Sequence, residues 1–114
     1  MTKNLTILAI DSTGHFSSVG IFDKIGNELF LISYDCNFKE LNSELKSKSI
    51  SSLISGVINR SKKEKIDIIG ITLGPGSFTK IRSSLSFARG LALGLKIPLI
   101  GVNSFQKLFY ATKL

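Results

Sequence analysis

The chain has one cysteine, Cys36, and one histidine, His15, among 114 residues. A single cysteine excludes an internal disulfide framework, and the expectation is a cytoplasmic protein. A single histidine excludes a His-Glu-x-x-His zinc site or a paired-histidine equivalent. It also leaves one imidazole to serve any hydroxyl nucleophile, and Ser77 lies in no Gly-x-Ser-x-Gly elbow. His15 is therefore read as a turn residue. Cys36 is read as a packing residue at a strand end, with no adjacent Arg, Lys or His to lower its pKa. No apolar run reaches the ~18 residues of a membrane span. The densest stretch, Leu85 to Leu95, is interrupted by Ser86, Arg89, Gly90 and Gly94. The first residues run directly into a strand pattern without a signal-peptide profile. Repeats, low-complexity linkers and interleaved aromatic and basic residues are also missing.

What is present is one domain's worth of globular sequence, 43% hydrophobic and 20% charged. The net charge of +7 is uneven: residues 1–37 carry two lysines and four acids, and the rest thirteen Lys/Arg and four acids. Such asymmetry fits a nucleic-acid partner, and equally fits lysine decoration for solubility. The cluster Arg60, Lys62, Lys63 and Lys65 suits a helix C-terminus, where cations meet the negative end of the dipole.

Hydrophobic periodicity orders the chain. Leu5 to Ile10 is a buried-strand run, and Phe16 to Phe22 a second strand. Asp23 to Asn27 reads as a hairpin connection, and Glu28 to Asp35 as a third strand. Leu41, Leu45, Ile50, Leu53, Ile54, Val57 and Ile58 then recur largely at three- and four-residue intervals, predicting a helix. Ile66 to Leu73 is a strand, Thr79 to Leu95 a helix, and Pro98 to Val102 a strand. Asn103-Ser104 suits the N-cap of a last helix, Phe105 to Thr112. The order β-β-β-α-β-α-β-α predicts an α/β fold with a mixed five-stranded sheet, an antiparallel meander joined to a parallel core. That is the ribonuclease-H-like arrangement, shared with the lobes of the actin-like ATPases.

Three features carry possible chemistry. Asp11, Ser12 and Thr13 follow the first strand, where an acid holds Mg²⁺ through water and hydroxyls bond phosphate in nucleotide-binding proteins. The alternative is a turn whose side chains satisfy local N–H groups. Gly74 and Gly76 flank Pro75, with Ser77 behind them. They fit an anion cradle at a helix N-terminus, or a tight turn capped by Ser77. The helix from Thr79 carries two rows of small residues at a spacing of four: Ser84, Ala88 and Ala92, and Ser86, Gly90 and Gly94. One row seats the helix on its own sheet. The other, with Leu91 and Leu95 nearby, is available to a partner chain. The partner contact is expected at Ser84, Ala88, Leu91, Ala92 and Leu95.

The block Ile71-Thr72-Leu73-Gly74-Pro75-Gly76-Ser77-Phe78-Thr79, continuing through Ile81-Arg82 and Leu85 to Ala92, resembles the TsaB (YeaZ) family. The likeness extends to Ile97-Pro98-Leu99-Ile100-Gly101-Val102 with Ser104, and to Ile7 to Thr13. The resemblance implies a non-catalytic member of the actin-like ATPase superfamily that acts as a scaffold in tRNA threonylcarbamoyladenosine modification. It implies pairing with the paralogue TsaD, which binds the metal and transfers the threonylcarbamoyl group. It also implies the ATPase TsaE as a third partner, self-association through the same lobe, and tRNA contact through the complex. No cofactor is expected on this chain; ATP and Mg²⁺ are expected on the partner subunits. The sequence departs from the family at Lys80 and Ser84, where glycine is common, and at Asn42-Ser43-Glu44, where His-Ser-Glu is usual. The expectation is one lobe, residues 1–114, without the second lobe usual in the family. Two other readings stand beside the scaffold: a nucleotide-binding lobe of a small kinase or ATPase, and a homodimeric interaction module.

Overall fold

The computed structural model describes residues 4–12, 16–38, 50–74 and 78–102. Its centre is β1 (Leu5–Asp11), a run of alternating burial in which Leu8 and Ile10 face inward. On one side β1 pairs antiparallel with β2 (Phe16–Ile25), which pairs antiparallel with β3 (Glu28–Phe38). After α1 (Ile50–Ser61), β4 (Ile68–Thr72) returns to pair parallel with the other side of β1. The helix α2 (Phe78–Leu95) then leads to β5 (Leu99–Val102), parallel to β4. The five strands lie in the order β3-β2-β1-β4-β5, the mixed sheet that the pattern predicts. The elements follow one another as β-β-β-α-β-α-β. The predicted last helix, with its cap at Asn103-Ser104, lies outside the described residues, as do Leu41 to Ser49.

The hairpin is tighter than expected. Asp23 to Ile25 belong to the strand, because Asp23 and Lys24 pair with Thr6 and Leu5. Only Gly26 and Asn27 turn the chain, with Gly26 at φ 63°, where a side chain is disfavoured. The fourth strand is shorter than Ile66 to Leu73. Asp67 occupies its threshold, where its N–H donates to the Thr6 carbonyl and its carboxylate accepts from the Thr6 N–H, each at 2.8 Å.

Both helices pack on one face. Register aligns Leu8 with Ile21 and Ile69, and Ile10 with Val19 and Ile71. These six side chains form one buried cluster with Leu53, Ile54 and Val57 of α1 and Ala88 and Ala92 of α2. Each large aliphatic side chain so buried contributes about 1.5–3 kcal/mol before chain entropy is charged against it. Arg60, in the last turn of α1, pairs with Asp35 at 3.3 Å and donates to the Tyr34 carbonyl, while Lys63 pairs with Asp23. The basic cluster thus ties the end of α1 to the meander. No helix among the described residues is long and apolar enough to cross a membrane.

Candidate functional site: the strand ends and the exposed face of the second helix

Because β1 and β4 are parallel and in register, their carboxyl ends emerge side by side. In open α/β sheets this edge is where ligands meet the chain. Asp11 ends β1 opposite Thr72, whose hydroxyl donates to the Asp11 carboxylate at 2.8 Å. Thr72 is nearly fully buried, so this contact holds the Asp11 side chain against the sheet. Just past Thr72, Gly74 adopts φ 134°, a conformation that favours glycine. The structure therefore brings Asp11, Ser12 and Gly74 to one edge. Thr13, His15, Gly76 and Ser77 lie outside the described residues.

Ser12 does not face outward from this edge. It is 1% exposed, and its hydroxyl shares a hydrogen bond with the hydroxyl of Ser84 on α2. A reading of Ser12 as a phosphate-facing hydroxyl is therefore corrected: its side chain is used inside the fold, to dock α2 on the end of β1. The sequence carries no signal for this pair, which is separated by 72 positions. Thr72 is likewise a polar member of the site that the strand pattern does not single out. Among the described residues no group of three or more His, Cys, Asp or Glu side chains is placed to hold a metal ion.

The partner face of α2 needs a second correction. Ser84, Ala88 and Ala92 are the row that seats the helix: Ala88 is 0% exposed and all three are buried against the protein's own sheet. Leu91 is half-buried beside them. Of the five expected interface residues only Leu95 is exposed. Solvent meets the other row, Ser86, Gly90 and Gly94, with Leu93 between them at 81% exposure. Among the described residues, a Cβ added at Gly90 or Gly94 would meet no atom within 4 Å. Arg82, Arg89 and Lys96, also exposed, border this face. α2 carries no acidic residue.

The opposite face of the sheet holds a cavity of about 340 Å³. Its floor is Gly20, Ala9 and Gly70, neighbours across three strands, and Phe22, Tyr34 and Val102 rise around them. Asp11, Ser18 and Thr72 mark the end nearest the strand termini. Partial burial raises the Tyr34 hydroxyl above its ordinary value, Cys36 and the Asp35 charge add to that, and Ser18 opposes it. Cys36 is half-buried in β3, two residues before the strand ends.

Comparison with known proteins places this architecture. Residues 40–114 match the family described as TsaD: tRNA N6-adenosine threonylcarbamoyltransferase. A tRNA N6-adenosine threonylcarbamoyltransferase of Porphyromonas gingivalis is 33% identical, over 90% of this chain and 33% of its own length. The tRNA threonylcarbamoyladenosine biosynthesis protein TsaB of Buchnera aphidicola is 30% identical, over 88% of this chain and 45% of its own. The chain thus spans a third to under half of these relatives. Among solved structures, YeaZ from Pseudomonas aeruginosa superposes with a TM-score of 0.65 at 22% identity, covering 87% of this chain and 43% of that one. This likeness shows a shared fold.

Proposed function

Since the chain belongs to the TsaD family, with TsaB proteins among its relatives, we propose that it is a TsaB-like scaffold in tRNA threonylcarbamoyladenosine biosynthesis. In this reading it adopts the ribonuclease-H-like lobe of the actin-like ATPases. It contributes no catalytic group and presents a helical face to TsaD. A second copy of the chain competes for that face, TsaE joins the assembled pair, and tRNA is met through the complex.

The observation that carries the reading is the exposed row of α2. A leucine at 81% exposure between two glycines, over which no described residue lies within 4 Å of an added Cβ, forms a shallow apolar ridge. Such a ridge lets another backbone approach closely, which accounts for tolerating two glycines inside a helix at about 1 kcal/mol each. The border of Arg82, Arg89 and Lys96 supplies cations that steer an acidic partner surface.

The test is the mass in solution of the chain mixed with TsaD from the same organism, measured by light scattering. We expect a one-to-one complex that Leu93→Asp weakens at least tenfold, about 1.4 kcal/mol or more, while leaving the fold intact. Leu93 is the right probe because Ala88→Arg would break the core and report on folding. Retention of full affinity by Leu93→Asp rejects this face as the interface, and no association with TsaD rejects the scaffold.

A nucleotide-binding lobe is the second reading, favoured by Asp11 at the end of β1, bonded to Thr72 two residues before the positive-φ Gly74. It predicts thermal stabilisation by ATP with Mg²⁺, lost in Asp11→Asn.

A further inference from the structure

The sheet ends on β5, and among the described residues no strand lies beyond it. The carbonyls of Pro98 and Val102 accept from the N–H groups of Ile69 and Leu73, on the β4 side. Backbone groups alternate sides along a strand, so Leu99 and Gly101 turn their N–H and C=O groups outward from the sheet. Their register partners, Ile69 and Ile71, are buried on the helix-bearing side. Leu99 and Gly101 therefore look onto the α2 layer. Two adjoining cavities of about 350 and about 300 Å³ lie there, between β5 and the helix. Leu93 and Ile97 line the first, Leu73 and Leu85 the second, and Arg89 and Leu99 belong to both. Gly101 leaves room for the second, since a Cβ there would collide with the Leu73 side chain that walls it.

We propose that this edge binds an extended acidic segment of a partner protein, which joins the sheet as a further strand beside β5. Strand addition draws affinity from unpaired backbone groups and selectivity from pockets for alternate side chains. The outward groups of Leu99 and Gly101 meet the first need. The two cavities meet the second: residues two apart on a strand stand roughly 6.6 Å apart on one face, so one apolar side chain enters each cavity. Charge selects the segment. Residues 68–114 contain six Lys/Arg and no Asp or Glu. Arg89 stands between the cavities and Lys96 lines the first, both exposed. A carboxylate on the same side as the apolar pair meets these cations with no acid of α2 or β5 to oppose it, whereas a basic segment is repelled. The site adjoins the Leu93 ridge but stands on the edge of β5, and it does not rest on the scaffold reading.

The probe is a fluorescein-labelled peptide, Asp-Thr-Val-Thr-Val-Thr-Asp, whose palindromic order serves either strand direction. Its anisotropy is expected to saturate as the full chain is added, with no TsaD present. A twin with lysine for both aspartates is expected to bind roughly tenfold more weakly or worse, and Arg89→Glu to weaken the acidic peptide by a similar factor. Backbone N-methylation separates strand addition from charge attraction. Methylated valines block antiparallel pairing with Leu99 and Gly101, and methylated threonines block parallel pairing, so at least one of these twins loses binding. Parent-like binding by both methylated twins overturns the proposal, as does failure of the acidic peptide to bind. So does light scattering in which the chain alone grows in mass and the peptide does not reverse it, which assigns the edge to a second copy. Where circular dichroism shows that Arg89→Glu fails to fold, the peptide series on the parent chain decides alone.

Discussion

Asp23 shows how tertiary contacts redefine a residue. In the sequence it opens a turn, beside Lys24 and three residues before Gly26. In the fold it lies within β2, accepts the Thr6 hydroxyl at 3.0 Å and meets the Lys63 ammonium. The hydrogen bond from Lys63 is the main cause that holds its carboxyl below the ordinary value; the Thr6 hydroxyl assists and burial opposes. A carboxylate lowered in the folded state adds stability above its unfolded pKa, and that stability is lost as pH falls through the folded value. Asp23→Asn is therefore expected to lower stability near neutral pH by about 0.5–1 kcal/mol, the scale of a partly exposed ion pair. It should also flatten the loss of stability below about pH 4. Urea midpoints taken across that range check both, and parallel curves for parent and variant would reject the assignment. Asp11 and Gly74 were legible as strand-end residues because their neighbours form short-range patterns. The Ser12–Ser84 bond was not, since nothing local marks two serines that meet only when α2 lies over β1.

At the scale of elements, α2 was legible almost to the residue, its start moving only from Thr79 to Phe78. What periodicity left open was which small row faces the sheet, because both repeat every four positions. Packing decides it: alanine methyls at Ala88 and Ala92 fill the contact with the core, whereas Gly90 and Gly94 would leave gaps there. The end of α2 falls at Leu95, where the pattern places it, although the residue that stops the helix is a lysine. Lys96 sits at φ 58°; its N–H donates to the Leu93 carbonyl at 3.3 Å and the Ile97 N–H to the Ala92 carbonyl at 3.0 Å. That is the paired closure usually built on glycine. Lys62 takes the same conformation, φ 56°, after α1. A left-handed conformation costs a side-chain-bearing residue about 1–2 kcal/mol, partly offset by the greater unfolded freedom of glycine. Lys96→Gly is thus expected to stabilise the chain by about 0.5–1 kcal/mol, read as a higher urea midpoint at unchanged slope. A lower midpoint would show that the lysine side chain makes a contact worth more than the relief of strain.

For the whole molecule, the mixed sheet was legible because two periods divide the chain. A period of two with a tight turn demands a meander, and strands separated by helical patterns demand parallel crossovers. The position of β1 follows from that topology: among the described strands it is the one that pairs antiparallel on one side and parallel on the other. This makes β1 the junction through which the meander and the crossover half stabilise each other. Its inward side chains, Leu8 and Ile10, sit in the cluster that both helices cover. β3 and β5 are the edges. On β3 the run Leu29 to Ile32 is 40–57% exposed, and β5 has only four residues. Local opening begins where few apolar contacts must be broken, so protection should fall from the centre outward. In native-state hydrogen exchange, hydrogen-bonded amides of β1 from Leu8 to Ile10 are expected to exchange only by global unfolding. The paired amides of β3 and β5 should open earlier, at a lower free energy and with a weaker denaturant dependence. If the β3 amides outlast those of β1, the meander is the stable unit and β4 and β5 only dock on it. If the two halves exchange at different limits with β1 following one of them, the single core divides along the β1–β4 seam.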